Sequence, residues 1–215
     1  MRISLIGPGD VNFHFSELLD FSKKEIELEI SKIAKSLANS GVEIELLPDR
    51  GICFEIAKKY KENKGKQVIA SLPLSDKTFG TQHLKPFLET KINNKPLFDK
   101  IIDTENWFKH DLIKALLGNK VLYLGSSPGT DGEMKYAIYL YKLLKGFKDG
   151  VSTSSKRVHS EILAGENYTF LIYTRFLKNK KLSPEDEAYL KKFKIKLLYI
   201  NSPEELESAL SSCTN

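Results

Sequence analysis

Apolar runs and amphipathic stretches alternate along the chain. "RISLI" (Arg2 to Ile6) is a continuous apolar run of strand length, and it stops at Gly7-Pro8-Gly9-Asp10. A loop, "VNFHFSELLDF", follows. Ser22 then opens a helix with Glu25 three positions on, the spacing of a capping box. In that helix Ile26, Ile30, Ile33, Ala34, Leu37 and Ala38 recur with helical period, and Gly41 ends it. "VEIELL" is a second strand, "PDRG" a turn, and "ICFEIAKKYKE" a second helix with Ile52, Ile56 and Tyr60 on one side. "KQVIASLP" is a third strand. The polar segment from Leu74 to Asn94 has no clear period and reads as a flap or irregular excursion, after which "LFDKIID" fits a short edge strand.

The second half repeats the alternation. "TENWFKHDLIKALLG" (Thr104 to Gly118) reads as one helix with Trp107, Leu112, Ala115 and Leu116 inward. Val121 to Leu124 form a strand. A helix from about Thr130 then buries Met134, Ala137, Ile138, Tyr141 and Leu144. The Ser-rich stretch from Gly146 to Glu166 is expected to be an exposed loop. "YTFLIYT" and "IKLLYI" are the last strands, and Ser183-Pro184 and Ser202-Pro203 are both helix starts. Six or seven strands alternating with helices predict a doubly wound, mainly parallel α/β sheet of Rossmann-like type, and 215 residues suit one domain spanning 1–215.

Composition changes this picture little. Charged residues are 28% and hydrophobic ones 41%, an ordinary globular balance. There is no apolar run of about 18 residues, so no membrane partner is expected. The N-terminal apolar stretch is too short for a secretory signal, and a cytoplasmic protein is expected. Cys53 and Cys213 lack metal spacing, and neither a metal nor a cofactor is called for. The net charge is +5, but the lysines are scattered, which disfavours a nucleic-acid partner. Richness in Lys and Glu hints at a thermophilic source.

Ligands of such sheets bind at the carboxyl ends of the strands. Four strand ends carry turn chemistry, and Gly125-Ser126-Ser127-Pro128-Gly129-Thr130 carries the most. Small residues let a ligand approach the backbone, a helix N-terminus supplies free N–H groups and a positive dipole end, and Ser126, Ser127 and Thr130 add hydroxyls. A phosphate is the natural guest. The plainer reading also stands: Thr130-Asp131-Gly132-Glu133 has capping-box spacing, so Glu133 could do no more than reach back to the Thr130 N–H. Gly132 costs a helix up to about 1 kcal/mol, which a need for ligand room would explain.

"Gly129-Thr130-x-x-Glu133" after an apolar strand resembles the PGGxGTxxE motif of the LOG family. "LANSGVEIELLPDRGICFEIAKKYKENKGKQVIASLP" and "LLYINSPEELESAL" are similar to further parts of its pattern. The resemblance implies a Rossmann-like nucleotide-binding fold and a homodimer. Its best-known members are nucleoside-5′-monophosphate phosphoribohydrolases, and its wider superfamily includes nucleotide sensors, a molybdenum-cofactor carrier and binders of single-stranded DNA. It places Glu133 as the catalytic carboxylate. PGG is replaced by Gly125-Ser126-Ser127 and GGG by Pro48-Asp49-Arg50. The family's phosphate-binding Arg-Lys pair falls on His110-Asp111, with Lys109 one position earlier.

Three functions follow. The first is cleavage of an N-glycosidic bond: phosphate on the Ser126–Thr130 loop, Glu133 activating water or stabilising the sugar cation, and His110 or Lys109 balancing charge. The second is a non-catalytic nucleotide or cofactor carrier or sensor, which the missing Arg favours. The third is nucleic-acid binding. Gly7, Gly9, Asp10, Arg50 and Gly51, at two other strand ends, are further candidates for a nucleotide or other phosphorylated small molecule. His14, His83 and His159 read as surface residues, and Trp107 as core.

Overall fold

The computed structural model describes residues 1–146 and 160–211. Its centre is a seven-stranded, wholly parallel sheet. In chain order the strands are β1 (Arg2–Ile6), β2 (Glu43–Leu46), β3 (Gln67–Leu72), β6 (Lys100–Asp103), β7 (Lys120–Tyr123), β8 (Thr169–Tyr173) and β9 (Lys196–Ile200). Across the sheet they lie as β6-β3-β2-β1-β7-β8-β9. The chain thus builds outward from β1 to one edge, then crosses back to the other side of β1. β1, β7 and β8 are buried along their whole length, which is why they read as continuous apolar runs rather than alternating ones.

Helices cover both faces. α1 (Lys23–Asn39), α2 (Ile52–Glu62) and the C-terminal α7 (Pro203–Ser211) pack on one. There Ile30, Ile33, Leu37, Ile56 and Leu206 meet Ile3, Leu5, Ile44, Leu46 and Val68. The capping box at Ser22 forms as its spacing predicts: Ser22 Oγ accepts from the Glu25 N–H, and the Glu25 carboxylate accepts from the Ser22 N–H at 2.8 Å. On the other face lie α4 (Trp107–Ile113), α5 (Pro128–Gly146) and α6 (Pro184–Lys192).

Some expectations need correction. The segment after Gly9 is not a plain loop, because Asn12–Glu17 winds as a π-helical turn. The helix expected over Thr104–Gly118 stops at Ile113 and tightens into a 3₁₀ turn, Lys114–Leu117. α5 begins at Pro128, a turn residue preset for the first helical position, rather than at Thr130. The excursion after β3 is ordered by two carboxylates, Asp103, which accepts from the Leu74 N–H and the Ser75 hydroxyl, and Asp76. Asp76 Oδ1 accepts from the N–H groups of Thr78, Phe79 and Gly80, and Oδ2 accepts from the Trp107 N–H at the start of α4. It continues through a short helix α3 (Lys85–Leu88) and a small hairpin, β4 (Lys91–Ile92) with β5 (Lys95–Pro96). Most of the loop expected over 146–166 lies outside the described residues. Its last part is held: Glu161 pairs with Lys100 and Arg2, and the Leu163 N–H donates to the Leu116 carbonyl.

Candidate functional site

The strand order reverses between β1 and β7, so the crevice of the fold opens at the carboxyl ends of those two strands, between Gly7–Asp10 and Leu124–Ser127. Packing explains two of the glycines here. A Cβ on Gly7 would lie 2.5 Å from Ile52 Cγ2 and 3.0 Å from Leu124 Cβ. Gly125 has φ +123°, and a Cβ there would lie 2.7 Å from His14 Nε2. Gly129 and Gly132 differ: a Cβ on either would meet nothing within 4 Å. Room at the start of α5 is therefore real.

The residues singled out by sequence fall into two groups. Gly9, Asp10, Arg50 and Gly51 line a cavity of about 460 Å³ with Lys23 and Glu55, on the α1 and α2 side. Asp10 caps the π-helical turn: its Oδ1 accepts from the Phe13 N–H at 3.0 Å. Arg50 is exposed and makes no ion pair among the described residues. Ser126, Ser127, Pro128, Gly129 and Thr130 form the second group, at the first turn of α5. The 460 Å³ cavity is not lined by this second group.

The α5 N-terminus is capped one turn earlier than Thr130. Ser127 Oγ accepts from the Thr130 N–H at 3.3 Å and shares a 2.9 Å hydrogen bond with Thr130 Oγ1, while the Asp131 N–H donates to the Ser127 carbonyl. The Asp131 carboxylate accepts from the Tyr123 hydroxyl and, at 2.6 Å, from Ser126 Oγ. The capping box expected from Thr130 and Glu133 is replaced by this arrangement. Glu133 points elsewhere, into an ion pair of 2.9 Å with Lys114 Nζ.

That pair anchors a buried polar cluster. The two side chains are only 6% and 13% exposed. Burial pulls the Lys114 amine down, but Glu133, Cys53 and Glu45 around it more than offset this and hold it above the usual lysine value. Glu45 on β2 is fully buried. Desolvation pushes its carboxyl up to about 7, against the pull of Lys114 and of the Ser71 hydroxyl that donates to it. Ser4 Oγ donates to the Lys114 carbonyl at 3.2 Å. Cys53 lies buried nearby, its thiol pushed up to about 12 by desolvation, so it is an inert core thiol.

Lys114 is the residue that the sequence reading missed. His110, expected to supply positive charge, does not. It is completely buried, Nδ1 bonds Thr104 Oγ1 at 3.0 Å, and burial and Lys114 hold its pKa down to about 3, so the ring is neutral. Lys109 turns away and pairs with Glu105 at 2.5 Å. Lys114 follows His110 by one turn, in the 3₁₀ turn that ends α4, and its burial comes from tertiary packing that no local pattern announces. His14 is also corrected. It is buried, with Nε2 3.2 Å from the Phe176 carbonyl, because the π-helical turn tucks it under Gly125. His83 is exposed, as expected, and stacks on Trp107. Trp107 is half-buried, and its Nε1 donates to the Gly80 carbonyl at 2.9 Å. His159 lies outside the described residues.

Among the described residues no three His, Cys, Asp or Glu side chains cluster as a metal site, and no helix is long and apolar enough to cross a membrane. No protein-family model matches the sequence, and no curated protein matches it. Solved structures do match. A molybdenum cofactor carrier protein from Chlamydomonas reinhardtii is 17% identical with a TM-score of 0.57, covering 98% of this chain and 95% of that one. The molybdenum cofactor binding protein of the phototrophic bacterium Rippkaea orientalis is 14% identical with a TM-score of 0.53, covering 100% of this chain and 97% of that one.

The chain shares the fold of these proteins. At such identity the likeness establishes the fold alone, a Rossmann-like α/β arrangement, and the Gly-Thr-x-x-Glu resemblance has no matching family model.

Proposed function

We propose that this chain binds and carries a phosphate-bearing small molecule of the kind held by molybdenum cofactor carriers, with the anionic end at the first turn of α5. The observation that carries the reading is the start of α5 at the topological switch point: Gly129 and Gly132 border open space, and the Lys114–Glu133 pair lies just beneath. The likeness in fold to molybdenum cofactor carriers supports it. The molybdenum cofactor is a pterin-based ligand ending in a phosphate. Among the described residues no His, Cys, Asp or Glu cluster is placed to hold a metal, so the cargo would be held by its phosphate at the α5 N-terminus.

Hydrolysis of a nucleotide is the weaker reading. It needs Glu133 free to work on water and a cation facing the phosphate. Glu133 is instead tied to Lys114, and His110 is neutral. Equilibrium dialysis against neopterin monophosphate, paired with an assay for ribose 5-phosphate release from nucleoside monophosphates, tests both. Binding without release is expected; release at a rate proportional to enzyme would sink the carrier reading. The homodimer implied by the resemblance is a separate proposal, checked by sedimentation equilibrium.

A further inference from the structure

α5 and α6 lie side by side at the surface, and two contacts fix how they are aligned. Lys135 Nζ of α5 lies 3.8 Å from Asp186 Oδ1 in the first turn of α6. Seven residues on in both helices, Lys142 Nζ lies 5.5 Å from the centre of the Phe193 ring, at the C-terminal cap of α6. Equal spacing at the two contacts means that the helices run parallel. Seven residues of helix rise about 10 Å, so the contacts mark out a groove of that length. A cavity of about 330 Å³ occupies it, within the range of small-ligand sites. Buried Ile138 and exposed Tyr139 line it from α5, and exposed Tyr189 and half-buried Phe193 from α6. The Tyr189 and Phe193 rings are within 14° of parallel, with centroids 6.2 Å apart.

The two ends of the groove carry opposite charge. Glu185 and Asp186 line it where α6 starts, and Asp186 is already satisfied there by Ser183 Oγ and Lys135. At the other end Lys142 and Lys192 both stand over Phe193, with Nζ 5.5 and 5.9 Å from the ring centre. Neither has a carboxylate partner among the described residues. A lysine in the last turn of a helix answers the helix dipole, which accounts for Lys192. It does not account for Lys142, which reaches the same ring from α5 against the repulsion of a second ammonium. One negative charge placed beside Phe193 would turn that repulsion into two attractions.

We infer that the groove between α5 and α6 binds a small aromatic carboxylate, its ring among Tyr139, Tyr189 and Phe193 and its charge between Lys142 and Lys192. The three aromatic side chains supply ring contacts, and the two ammonium groups hold the carboxylate. The ligand carries a single negative charge, because Glu185 and Asp186 would repel a second one at the far end of the groove. No residue of the first turn of α5 lines this groove, so the site stands apart from the carrier reading.

The test titrates 2-naphthoate, neutral 2-naphthamide and cationic 2-naphthylmethylamine by calorimetry into wild type, Lys142→Gln/Lys192→Gln and Tyr189→Ala. All three side chains are exposed, so thermal unfolding should be unchanged, and this is checked first. Should Tyr189→Ala unfold, Tyr139→Ala takes its place. Wild type is expected to bind naphthoate about three- to tenfold more tightly than naphthamide, with the amine weakest. The double lysine variant should lose that preference and bind naphthamide as wild type does. Tyr189→Ala should weaken naphthoate and naphthamide alike, by about two- to tenfold. Equal affinity of wild type for the three probes overturns the proposal, as does the lack of naphthoate binding at millimolar concentration. A preference for naphthoate that survives the double variant also overturns it, because the carboxylate would then be held elsewhere. Naphthoate binding untouched by Tyr189→Ala does the same. If no probe binds and Tyr189→Ala splits an oligomer in sedimentation, the groove is an interface between copies and the proposal falls. In every case the carrier reading keeps its own test with neopterin monophosphate.

Discussion

On the side covered by α1, α2 and α7, the strands present Ile3, Leu5, Ile44, Leu46, Val68 and Leu72, and the helices answer mostly with apolar side chains, the buried Glu29 of α1, which pairs with Arg175 at 2.7 Å, being an exception. On the other side, β1, β2 and β3 present Ser4, Glu45 and Ser71, with Lys114 and Glu133 packed over them. Ser4 and Glu45 are direct partners in register, so the polar residues are not scattered defects. A core needs no charge to be stable, and a buried ion pair is often no better than an aliphatic replacement. The difference is chemical: the face under α1, α2 and α7 is mainly aliphatic, and the face under α5 carries the buried Lys114–Glu133 pair with Glu45 beside it.

The comparison can be broken in four ways. Lys114→Met leaves Glu133 without its buried partner and removes the cation facing Glu45. A loss of about 3–5 kcal/mol in urea unfolding is expected. A loss below about 1 kcal/mol would mean that water reaches the pair and that the two faces are less different than their burial implies.

Glu45 gives a second handle. Its folded carboxyl is raised from 4.5 to about 7, so between those values the unfolded chain has released a proton that the folded one keeps. Stability therefore falls as pH rises through that window and is flat above it. At about 1.4 kcal/mol per unit the loss is roughly 3 kcal/mol. Glu45→Gln should remove this slope, and unfolding at pH 5 and pH 8 measures it; an unchanged slope would refute the assignment.

Smaller effects sharpen the contrast. Ser127→Ala removes the α5 cap and should cost about 1 kcal/mol, again by urea unfolding, while weakening binding of neopterin monophosphate. On the mainly aliphatic face, Ile33→Val should also cost about 1 kcal/mol, and its cost should be the same at pH 5 and pH 8. A pH-dependent cost for Ile33→Val would show that titration is felt through the sheet.

The elements were largely legible because burial wrote them into the sequence. β1, β3 and β7 are covered on both faces and show as apolar runs, and Ser22 with Glu25 announced α1 by chemistry that needs no tertiary contact. The site was legible only in outline. Gly129 and Thr130 marked the start of α5, but the cap passed to Ser127 because Pro128 suits the first helical turn better. Lys114, inside "KALL", reads as a solvent-facing lysine; only the approach of α5 to the 3₁₀ turn buries it beside Glu133. His110 reads as a cation until packing removes its water. Charge states set by tertiary burial leave no local pattern to read.

Asp76 has a mechanical consequence. A single carboxylate grips the excursion after β3 and the first turn of α4 at once. The loop therefore cannot swing as an independent hinge. Either four N–H bonds break together, or α4 travels with the loop, so the two should exchange their amide hydrogens as one cooperative unit and release them together when acid protonates that carboxylate.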